Sequence, residues 1–250
     1  MAGDSASLRI LVIAAVLPDH ILWHQAVAKA SIQIELEILE VAPAATLLAR
    51  ARVDICLLDA DLSDAQKTIL IKAARAAASA PLIFIIGPKH SMRPEGVDGI
   101  LAKPASQDEA HKQVQLCIRA KIPTRVLIVD DSGTMRSIVR KILQASHFAF
   151  DIHEAAEGNA ALELLRVRKF GIVFLDYNMP GLDGFETLSE IKRFNPAVAV
   201  VMMTSTLDGA IAGRAHAAGA LAFLKKPFFP ADVDATLERY YGLNAAQVYL

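Results

Sequence analysis

The chain has 250 residues, which suffices for one large domain or two of ordinary size. Hydrophobic residues make up 54% of it, a share that argues against disorder and indicates generous cores. Its formal charge of −1 argues against a basic, nucleic-acid-binding surface, and its two cysteines exclude a disulfide framework. The longest apolar runs fall well short of the roughly 20 residues that span a bilayer. We therefore predict a cytoplasmic protein that binds neither nucleic acid nor membrane.

Apolar runs alternate with helical patterns along the whole chain, which favours parallel sheets with helices on both faces. Pro88, Pro94 and Gly96 follow the third apolar run of the first half, and they make a helix there hard to form. The sequence therefore predicts a short or irregular segment near 89–98. The strand-like runs of this half lie at 9–13, 54–59, 81–86 and 100–104.

The second half shows the alternation more completely. Strands are predicted near 125–130, 148–153, 171–176, 198–204 and 221–224. Helices are predicted near 133–146, 157–168, 184–194, 207–218 and 229–242. Five strands joined by helices are typical of a doubly wound parallel sheet, so we predict an α/β fold.

The two halves repeat one order of elements with similar spacing. Asp59 and Gly87, at the end of the next strand, are 28 residues apart. The corresponding residues of the second half, Asp176 and Thr204, are also 28 residues apart. A repeat of this length predicts two domains of similar fold. We place them at 1–120 and 121–250, with the boundary near 118–124, where a helical pattern ends and a new strand begins.

Polar side chains stand at the carboxyl ends of four predicted strands in the second half. They are Asp130 and Asp131, Asp176, Thr204, and Lys226. In a parallel sheet these ends share one edge, where open α/β folds build their sites. Three clustered carboxylates repel one another and favour a cation such as Mg²⁺, which prefers oxygen ligands. One carboxylate can then act as a nucleophile towards a phosphoryl group, while Lys226 neutralises the phosphoryl oxygens and Thr204 donates a hydrogen bond.

Four motifs of the second half, and the order in which they follow one another, resemble the receiver domain of two-component response regulators. The resemblance covers residues 125–242 and implies a five-stranded flavodoxin-like receiver fold. For the first half it implies a degenerate copy of that fold. The motifs are Val129-Asp130-Asp131-Ser132, the run from Leu175 to Gly184 (LDYNMPGLDG), Met203-Thr204-Ser205 and Lys225-Lys226-Pro227-Phe228.

The resemblance implies how the acidic residues function. Asp176 would accept a phosphoryl group from a histidine kinase or a histidine phosphotransfer protein. Asp131 and Asp176 would bind Mg²⁺ directly, and Asp130 would bind it through water. Asn178 would contribute its backbone carbonyl to the same ion.

The resemblance also implies a switch around the phosphoryl group. Thr204 would move towards that group, and Phe223 would change rotamer in concert. The Lys226–Pro227 peptide bond would be cis. Asn178 and Thr206 stand where family members tune the lifetime of the acyl phosphate.

Simpler explanations exist for single members of this site. Asp130 and Asp131 could favour a helix start, since acidic residues stabilise helix N-termini. Phe223 could be an ordinary core residue, and Lys225 a solvated neighbour of the lysine that follows it. The ordered set of polar strand ends favours the metal site over a helix start for the acidic pair.

The first half keeps the predicted architecture but loses most of the polar cluster. Asp59 and Lys103 remain, and we expect them to pair in an otherwise uncharged pocket. Too few acidic residues remain to attract Mg²⁺, so we predict a pseudo-receiver that takes no phosphate. Ala14, Ala15, Gly87 and Ile100 stand at the positions that correspond to Asp130, Asp131, Thr204 and Phe223.

Two other patterns of the first half have weaker interpretations. Asp59-Ala60-Asp61 resembles the start of haloacid-dehalogenase-type phosphatases, but over three residues only. His20 and His24 lie one helical turn apart, a spacing that can bind a metal, yet no third ligand is evident. We expect a polar helix face beside Trp23 instead.

Taken as a receiver, the chain is predicted to be a response regulator and not an enzyme. If it is complete, its output is contact with an unknown downstream protein, through a surface within 207–242 that also suits homodimerisation. Two alternatives stay open: a phosphotransfer intermediate or phosphate sink, and a regulatory part of a larger output enzyme.

Overall fold

The structure, a computed structural model, describes residues 7–14, 20–88, 93–205 and 209–243. The chain divides into two compact units. The first unit contains Met1–Lys121 together with Tyr241–Leu250, and the second unit contains Ile122–Tyr240.

The first unit is a five-stranded sheet flanked by helices. The strand order is β2-β1-β3-β4-β5, and every neighbouring pair is parallel. The elements in chain order are β1 (Leu8–Ile13), α1 (His20–Ala28), β2 (Ile34–Leu39), α2 (Val41–Arg50), β3 (Ile55–Asp59), α3 (Asp64–Arg75), β4 (Leu82–Ile86), β5 (Gly99–Leu101) and α4 (Gln107–Lys121).

The second unit repeats this plan. Its elements are β6 (Thr124–Val129), α5 (Gly133–Ala145), β7 (Phe150–Ala155), α6 (Gly158–Val167), β8 (Ile172–Asp176), α7 (Gly184–Phe194), β9 (Ala199–Thr204), α8 (Gly209–Ala217), β10 (Ala222–Lys225) and α9 (Pro230–Tyr241). The order β7-β6-β8-β9-β10 is the same permutation as in the first unit, and all neighbours are parallel. Both predicted doubly wound, flavodoxin-like sheets are therefore confirmed.

The inner strands are buried on both faces, as expected for parallel strands covered by helices. Every residue of β3, β4 and β8 is buried. The edge strands β2 and β7 are mostly half-buried and carry exposed acidic residues, Glu35 and Asp151, which discourage pairing with another chain. The strand order places β6 and β8 next to each other inside the second sheet, so that their carboxyl ends lie side by side.

Side-chain caps set the points at which helices begin beside those strand ends. Ser132 accepts a hydrogen bond from the Met135 backbone N–H at the start of α5, at 3.3 Å. Asp183 and Glu186 form a reciprocal capping box at the start of α7. Because each cap satisfies a backbone N–H that has no partner within the helix, it stabilises the turn from strand to helix.

The elements predicted for the second half agree with the observed ones to within about two residues at each end. For the helix predicted near 207–218, the structure describes α8 from Gly209, and residues 206–208 lie outside the described part of the chain. The agreement follows from the regular alternation of apolar strands and amphipathic helices, which leaves little ambiguity about element type.

The irregular segment predicted near 89–98 is confirmed for residues 93–98, which contain no helix, while 89–92 lie outside the description. Arg75 holds this segment in place. Its guanidinium donates to the Gly96 carbonyl oxygen at 2.9 Å and to Asp98 Oδ2 at 2.6 Å. The same Asp98 oxygen accepts from the Ile83 backbone N–H at 2.7 Å. A buried polar network thus connects the segment to α3 and β4.

The residues that follow α9 belong to the first unit. Gly242 has a φ of 71°, the left-handed conformation that commonly ends a helix. Leu243 is fully buried, and its carbonyl oxygen accepts a hydrogen bond from the Ile100 backbone N–H at 2.8 Å. The division into domains 1–120 and 121–250 stays a prediction; α4 ends at Lys121 and β6 begins at Thr124.

Candidate metal and phosphoryl site

The structure brings the predicted polar residues of the second half to one edge of the sheet. Asp130 and Asp131 follow β6, Asp176 ends β8, Thr204 ends β9, and Lys226 follows β10. Because these strands are parallel neighbours, their carboxyl ends all open on the same side. The sequence positions span almost a hundred residues, yet the side chains of Asp130, Asp131, Asp176 and Lys226 lie close together.

Three carboxylates form the centre of this site. One oxygen from each of Asp130, Asp131 and Asp176 lies within 4.8 Å of the others. Asp130 is fully buried and Asp176 nearly so, whereas Asp131 is exposed to solvent. Asp130 Oδ1 accepts a hydrogen bond from the Ser132 backbone N–H at 2.9 Å, which orients this carboxylate. No other group of three possible metal ligands occurs among the described residues.

Lys226 lies between the two buried carboxylates. Its Nζ is 2.7 Å from Asp130 Oδ2 and 2.9 Å from Asp176 Oδ1. Asp176 Oδ1 is buried and accepts no well-aligned hydrogen bond from the described residues, although this ammonium is close. The ammonium brings one positive charge against three carboxylates, so the ionised site has an excess of negative charge that a divalent cation would neutralise.

The environment of the Lys226–Asp176 ion pair raises the pKa of both side chains. Burial raises the pKa of Asp176; Lys226 acts in the opposite direction without cancelling this effect, and the charge of Asp130 adds to it. Burial alone would lower the pKa of Lys226, but its hydrogen bond to Asp130 and its ion pair with Asp176 outweigh that effect, and the pKa is raised. Lys226 therefore remains a cation at neutral pH.

Thr204 and Phe223 occupy different environments. Thr204 is fully buried at the end of β9, and its backbone oxygen accepts from the Lys226 N–H at 2.7 Å. Phe223 is half-buried and packs against the main hydrophobic cluster of the second unit. Its ring is thus partly accessible to solvent, which is compatible with a change of rotamer and with a peripheral core position.

Two further expectations concern the loops of the site. Asn178 is exposed, and its amide Nδ2 lies 3.5 Å from Ser205 Oγ. The Lys226–Pro227 peptide bond is cis, as the resemblance implied. Thr206 lies outside the described residues.

The last glycine of the LDYNMPGLDG motif, Gly184, lies in close contact with the loop that carries Asp176. A Cβ at this position would overlap the backbone oxygen of Asp176 and approach Tyr177 Cα to 2.7 Å. The Gly184 N–H donates to the Tyr177 carbonyl oxygen at 3.0 Å. The start of α7 therefore packs directly on the backbone of the loop that carries Asp176, and only glycine fits there.

The first unit has a different arrangement at the same edge. Lys103 Nζ lies 3.0 Å from Asp59 Oδ2 and 3.1 Å from Asp61 Oδ2. Hydrogen bonds to Asp59 and Asp61 raise the pKa of Lys103, and the bond to Asp59 has the larger effect. The expected pair of Asp59 with Lys103 is present, but the expectation of an otherwise uncharged pocket was wrong, because Asp61 supplies a second carboxylate.

Other residues singled out in the first unit lie on β1 and α1 or next to them. Ala14 is buried, and Ala15 lies outside the described residues. His24 is exposed and Trp23 is buried, as expected for a polar helix face beside an apolar one; the side chain of His20 is not described. None of the helices that the structure describes is both long and apolar enough to cross a membrane.

Comparison with known proteins identifies the second unit. Residues 126–238 match the family of the response regulator receiver domain. Over 119 residues the chain is 34% identical to protein CcdB of Bacillus subtilis, an alignment that covers 48% of this chain and 98% of that protein. Over 110 residues it is 38% identical to a protein-glutamate methylesterase/protein-glutamine glutaminase of Symbiobacterium thermophilum, covering 44% of this chain and 30% of the relative.

Other comparisons concern length and fold. For further curated relatives, the chain spans between 25% and 57% of their length. A solved structure of a probable two-component system response regulator/GGDEF domain protein aligns with 94% of this chain and 98% of its own, at 21% identity and a TM-score of 0.54. That likeness concerns the fold alone, and it includes the first unit. The chain belongs to the response regulator family, with its receiver domain at residues 126–238.

Proposed function

We propose that the second unit takes a phosphoryl group on Asp176 in the presence of Mg²⁺. The observation that supports this most directly is the cluster of Asp130, Asp131 and Asp176 oxygens within 4.8 Å, with Lys226 beside two of them. Receiver domains as a family bind Mg²⁺ through acidic residues and interact with histidine kinases. The phosphate donor would accordingly be a phosphohistidine of a kinase or a phosphotransfer protein.

The donor atoms suit Mg²⁺, a hard cation that prefers oxygen ligands and keeps several waters. Asp131 offers an exposed carboxylate, and Asp176 Oδ1 is a buried oxygen without a well-aligned hydrogen bond. We propose that these two residues and the Asn178 backbone carbonyl bind the ion directly, with Asp130 bound through water. When bound, the ion lowers the repulsion between the carboxylates and the incoming phosphoryl oxygens.

The proposed transfer is a displacement at phosphorus. An Asp176 oxygen forms a bond to phosphorus while the bond from phosphorus to the donor histidine nitrogen breaks, and the electron pair of that bond stays on the nitrogen. Lys226 is close enough to exchange its ion pair with Asp176 for one with the phosphoryl oxygens. Thr204 ends the neighbouring strand, and we propose that its hydroxyl donates a hydrogen bond to the same oxygens.

We propose that output occurs through protein contact. Rearrangement of Thr204 and the half-buried Phe223 would shift an equilibrium between two states of the surface within 207–242, of which residues 209–242 are described. This surface would bind a downstream protein or a second copy of the chain. Size-exclusion chromatography with Mg²⁺ and beryllofluoride tests the second option, and an unchanged elution volume argues against phosphorylation-driven dimerisation.

The phosphoacceptor is tested by labelling with a small phosphodonor such as phosphoramidate, followed by intact-mass measurement. Wild-type protein should gain one phosphoryl group in Mg²⁺ and none in EDTA, and Asp176→Asn should gain none. Rapid return of the group to a phosphotransfer protein would instead indicate a phosphate sink. Labelling of Asp176→Asn at the wild-type level would contradict the proposal.

We propose that the first unit is a pseudo-receiver that takes no phosphate. Lys103 already bridges Asp59 and Asp61, and Ala14 replaces the first acidic residue of the metal site. Asp59→Asn should therefore label like the wild type. Label retained on Asp59 in the Asp176→Asn variant would refute this.

A further inference from the structure

A single arginine connects the loop of the acidic pair to the helix behind it. Arg136 lies on α5, and its Nη1 donates to the Asp130 carbonyl oxygen at 2.7 Å. The same nitrogen is 3.4 Å from the Asp131 carbonyl oxygen. Arg136 therefore contacts the backbone of both acidic residues without contacting their carboxylates. Its side chain is 19% exposed, so the guanidinium is partly shielded from water.

Glu154, on the edge strand β7, orients that arginine. Its Oε2 accepts from Arg136 Nε at 3.0 Å, and its Oε1 accepts from Arg140 Nε at 2.7 Å. Burial opposes ionisation of Glu154, but the bonds to Arg140 and Arg136 outweigh it and lower the pKa of Glu154. The carboxylate is thus held as an anion between two guanidiniums. Together Arg136, Arg140 and Glu154 form one network, which we call the arginine clamp.

The repeat within the chain separates structural from functional explanations of the clamp. The first two strands of each unit pair in the same register, from Leu8 with Ile34 to Thr124 with Phe150, at a constant offset of 116 residues. At that offset the first unit has His20, His24 and Ile38 in place of Arg136, Arg140 and Glu154. The unit that lacks the acidic pair thus also lacks the clamp, yet it forms the same sheet. The fold does not require the clamp.

We propose that the arginine clamp is a positioning device for the metal ligands, so that Arg136 sets the Mg²⁺ affinity of the site without touching the ion. This inference rests on the proposed function of the second unit. Three carboxylates within 4.8 Å repel one another, and this repulsion favours displacement of the Asp130–Asp131 loop. Two guanidinium contacts to the loop carbonyls oppose that displacement, and the Glu154 carboxylate fixes the orientation of the guanidinium.

The test compares Mg²⁺ binding by calorimetry in the full chain and in two variants. Arg136→Lys keeps the positive charge, but an ammonium cannot reproduce the fork that joins a carbonyl to a carboxylate. We expect its Mg²⁺ dissociation constant to rise about tenfold, the lower end of effects seen for residues that support metal ligands. Glu154→Gln leaves Arg136 in place and should give a smaller rise. Labelling by phosphoramidate should slow at low Mg²⁺ and recover at saturating Mg²⁺.

Arg193→Lys is the matched control, because Arg193 forms an exposed pair with Glu190 at 2.7 Å and is not part of the site. It should bind Mg²⁺ like the wild type. If Arg136→Lys or Glu154→Gln, with wild-type circular dichroism, binds Mg²⁺ within twofold of wild type, the inference is overturned while the proposed function stands. If Arg136→Lys does not fold, Glu154→Gln alone decides in the same way. If the wild type neither binds Mg²⁺ nor labels, the proposed function fails first.

Discussion

Lys226 is the residue on which the charge balance of the site depends. Its ammonium lies within 3 Å of oxygens from two buried carboxylates, one of which, Asp130, is fully buried. A buried charge that loses its partner is strongly unfavourable, because burial keeps water from replacing the lost interaction. The neighbouring Lys225 is exposed, as expected from sequence, and offers a lysine of equal charge outside the site.

Replacing Lys226 by methionine should lower the free energy of unfolding by about 3 kcal/mol in EDTA, since Asp130 and Asp176 lose their cation. Mg²⁺ should recover part of this loss, because the ion neutralises the same carboxylates. Urea denaturation followed by circular dichroism measures both effects. Lys225→Met should change stability by less than about 0.5 kcal/mol. Equal losses with and without Mg²⁺ would argue against a metal at these carboxylates.

The two buried cysteines predict a pH dependence at alkaline pH. Burial raises the pKa of Cys56 and of Cys117 from 9.0 to about 12 in the folded chain. Between these values the unfolded thiols lose protons that the folded thiols keep, so stability present below pH 9 is lost as the pH rises towards 12. The slope should reach about 1.4 kcal/mol per pH unit for each cysteine.

Cys56→Ala is the variant that isolates this effect. Its free energy of unfolding should fall less steeply than that of the wild type between pH 9 and 11, whatever its stability at pH 7. The comparison of slopes removes the contribution of lysines and tyrosines, which both proteins share. Parallel slopes would mean that Cys56 is not protected from ionisation in the folded state.

At the scale of elements, replacing a glycine by alanine should have opposite effects on stability in two helices. Gly184 begins α7 against the backbone of the Asp176 loop, where a Cβ would overlap. Gly213 lies inside α8, and a Cβ there would have no neighbour within 4 Å. Gly184→Ala should destabilise the protein by about 2 kcal/mol through overpacking. Gly213→Ala should stabilise it by up to about 1 kcal/mol, because alanine favours helix.

Thermal unfolding followed at 222 nm measures both glycine variants. Phosphoramidate labelling distinguishes them further, since Gly184→Ala displaces the loop of Asp176 and should slow labelling. Equal stabilities of Gly184→Ala and the wild type would mean that α7 shifts at little cost, and that the close approach is not required.

In the second half, element type and order were predictable from the sequence, because apolar runs alternate with amphipathic helices. In the first half, β2 (Ile34–Leu39) was not among the predicted strands, because glutamates interrupt its apolar run. The irregular segment before β5 was predictable for a local reason, the prolines and the glycine near 88–96. The hydrogen bonds that hold this segment in place were not predictable from the sequence. Arg75 reaches Gly96 and Asp98 across more than 20 residues, and no local pattern indicates which arginine turns inward.

At the scale of the whole molecule, the chain returns to its first unit after completing the second. Tyr241 and Leu243 are fully buried, and the Arg119 guanidinium lies 5.8 Å from the centre of the Tyr241 ring. Leu243 is also hydrogen-bonded to Ile100 on β5. The first unit therefore depends on residues that the chain supplies more than 100 positions after α4.

Leu243→Ala should lower the stability of the first unit by about 3 kcal/mol, since it removes a fully buried leucine side chain. Trp23, the one tryptophan of the sequence, is buried in that unit, so its fluorescence reports the transition. Val167→Ala, at a residue of the second unit that is 77% exposed, should leave that transition unchanged. An unshifted Trp23 transition in Leu243→Ala would contradict the dependence.

The sequence by itself determined the two α/β units and the polar residues proposed for the phosphoryl site. In a parallel sheet every strand delivers its carboxyl end to the same edge, so Asp130, Asp176, Thr204 and Lys226 could be placed together from their positions after apolar runs. Their expected roles came from the family that these motifs resemble. Both inferences use short-range patterns, which a single sequence displays.

Only the tertiary structure decided which polar groups meet away from those strand ends. Asp61 joins the pair of Lys103 with Asp59, Glu154 orients Arg136 behind the acidic pair, and Leu243 reaches β5. Each contact joins residues far apart in the chain, and its formation depends on which side chains the packed helices and strands bring within hydrogen-bonding distance. A periodic pattern records which face of an element is apolar, but it does not record which partner faces it.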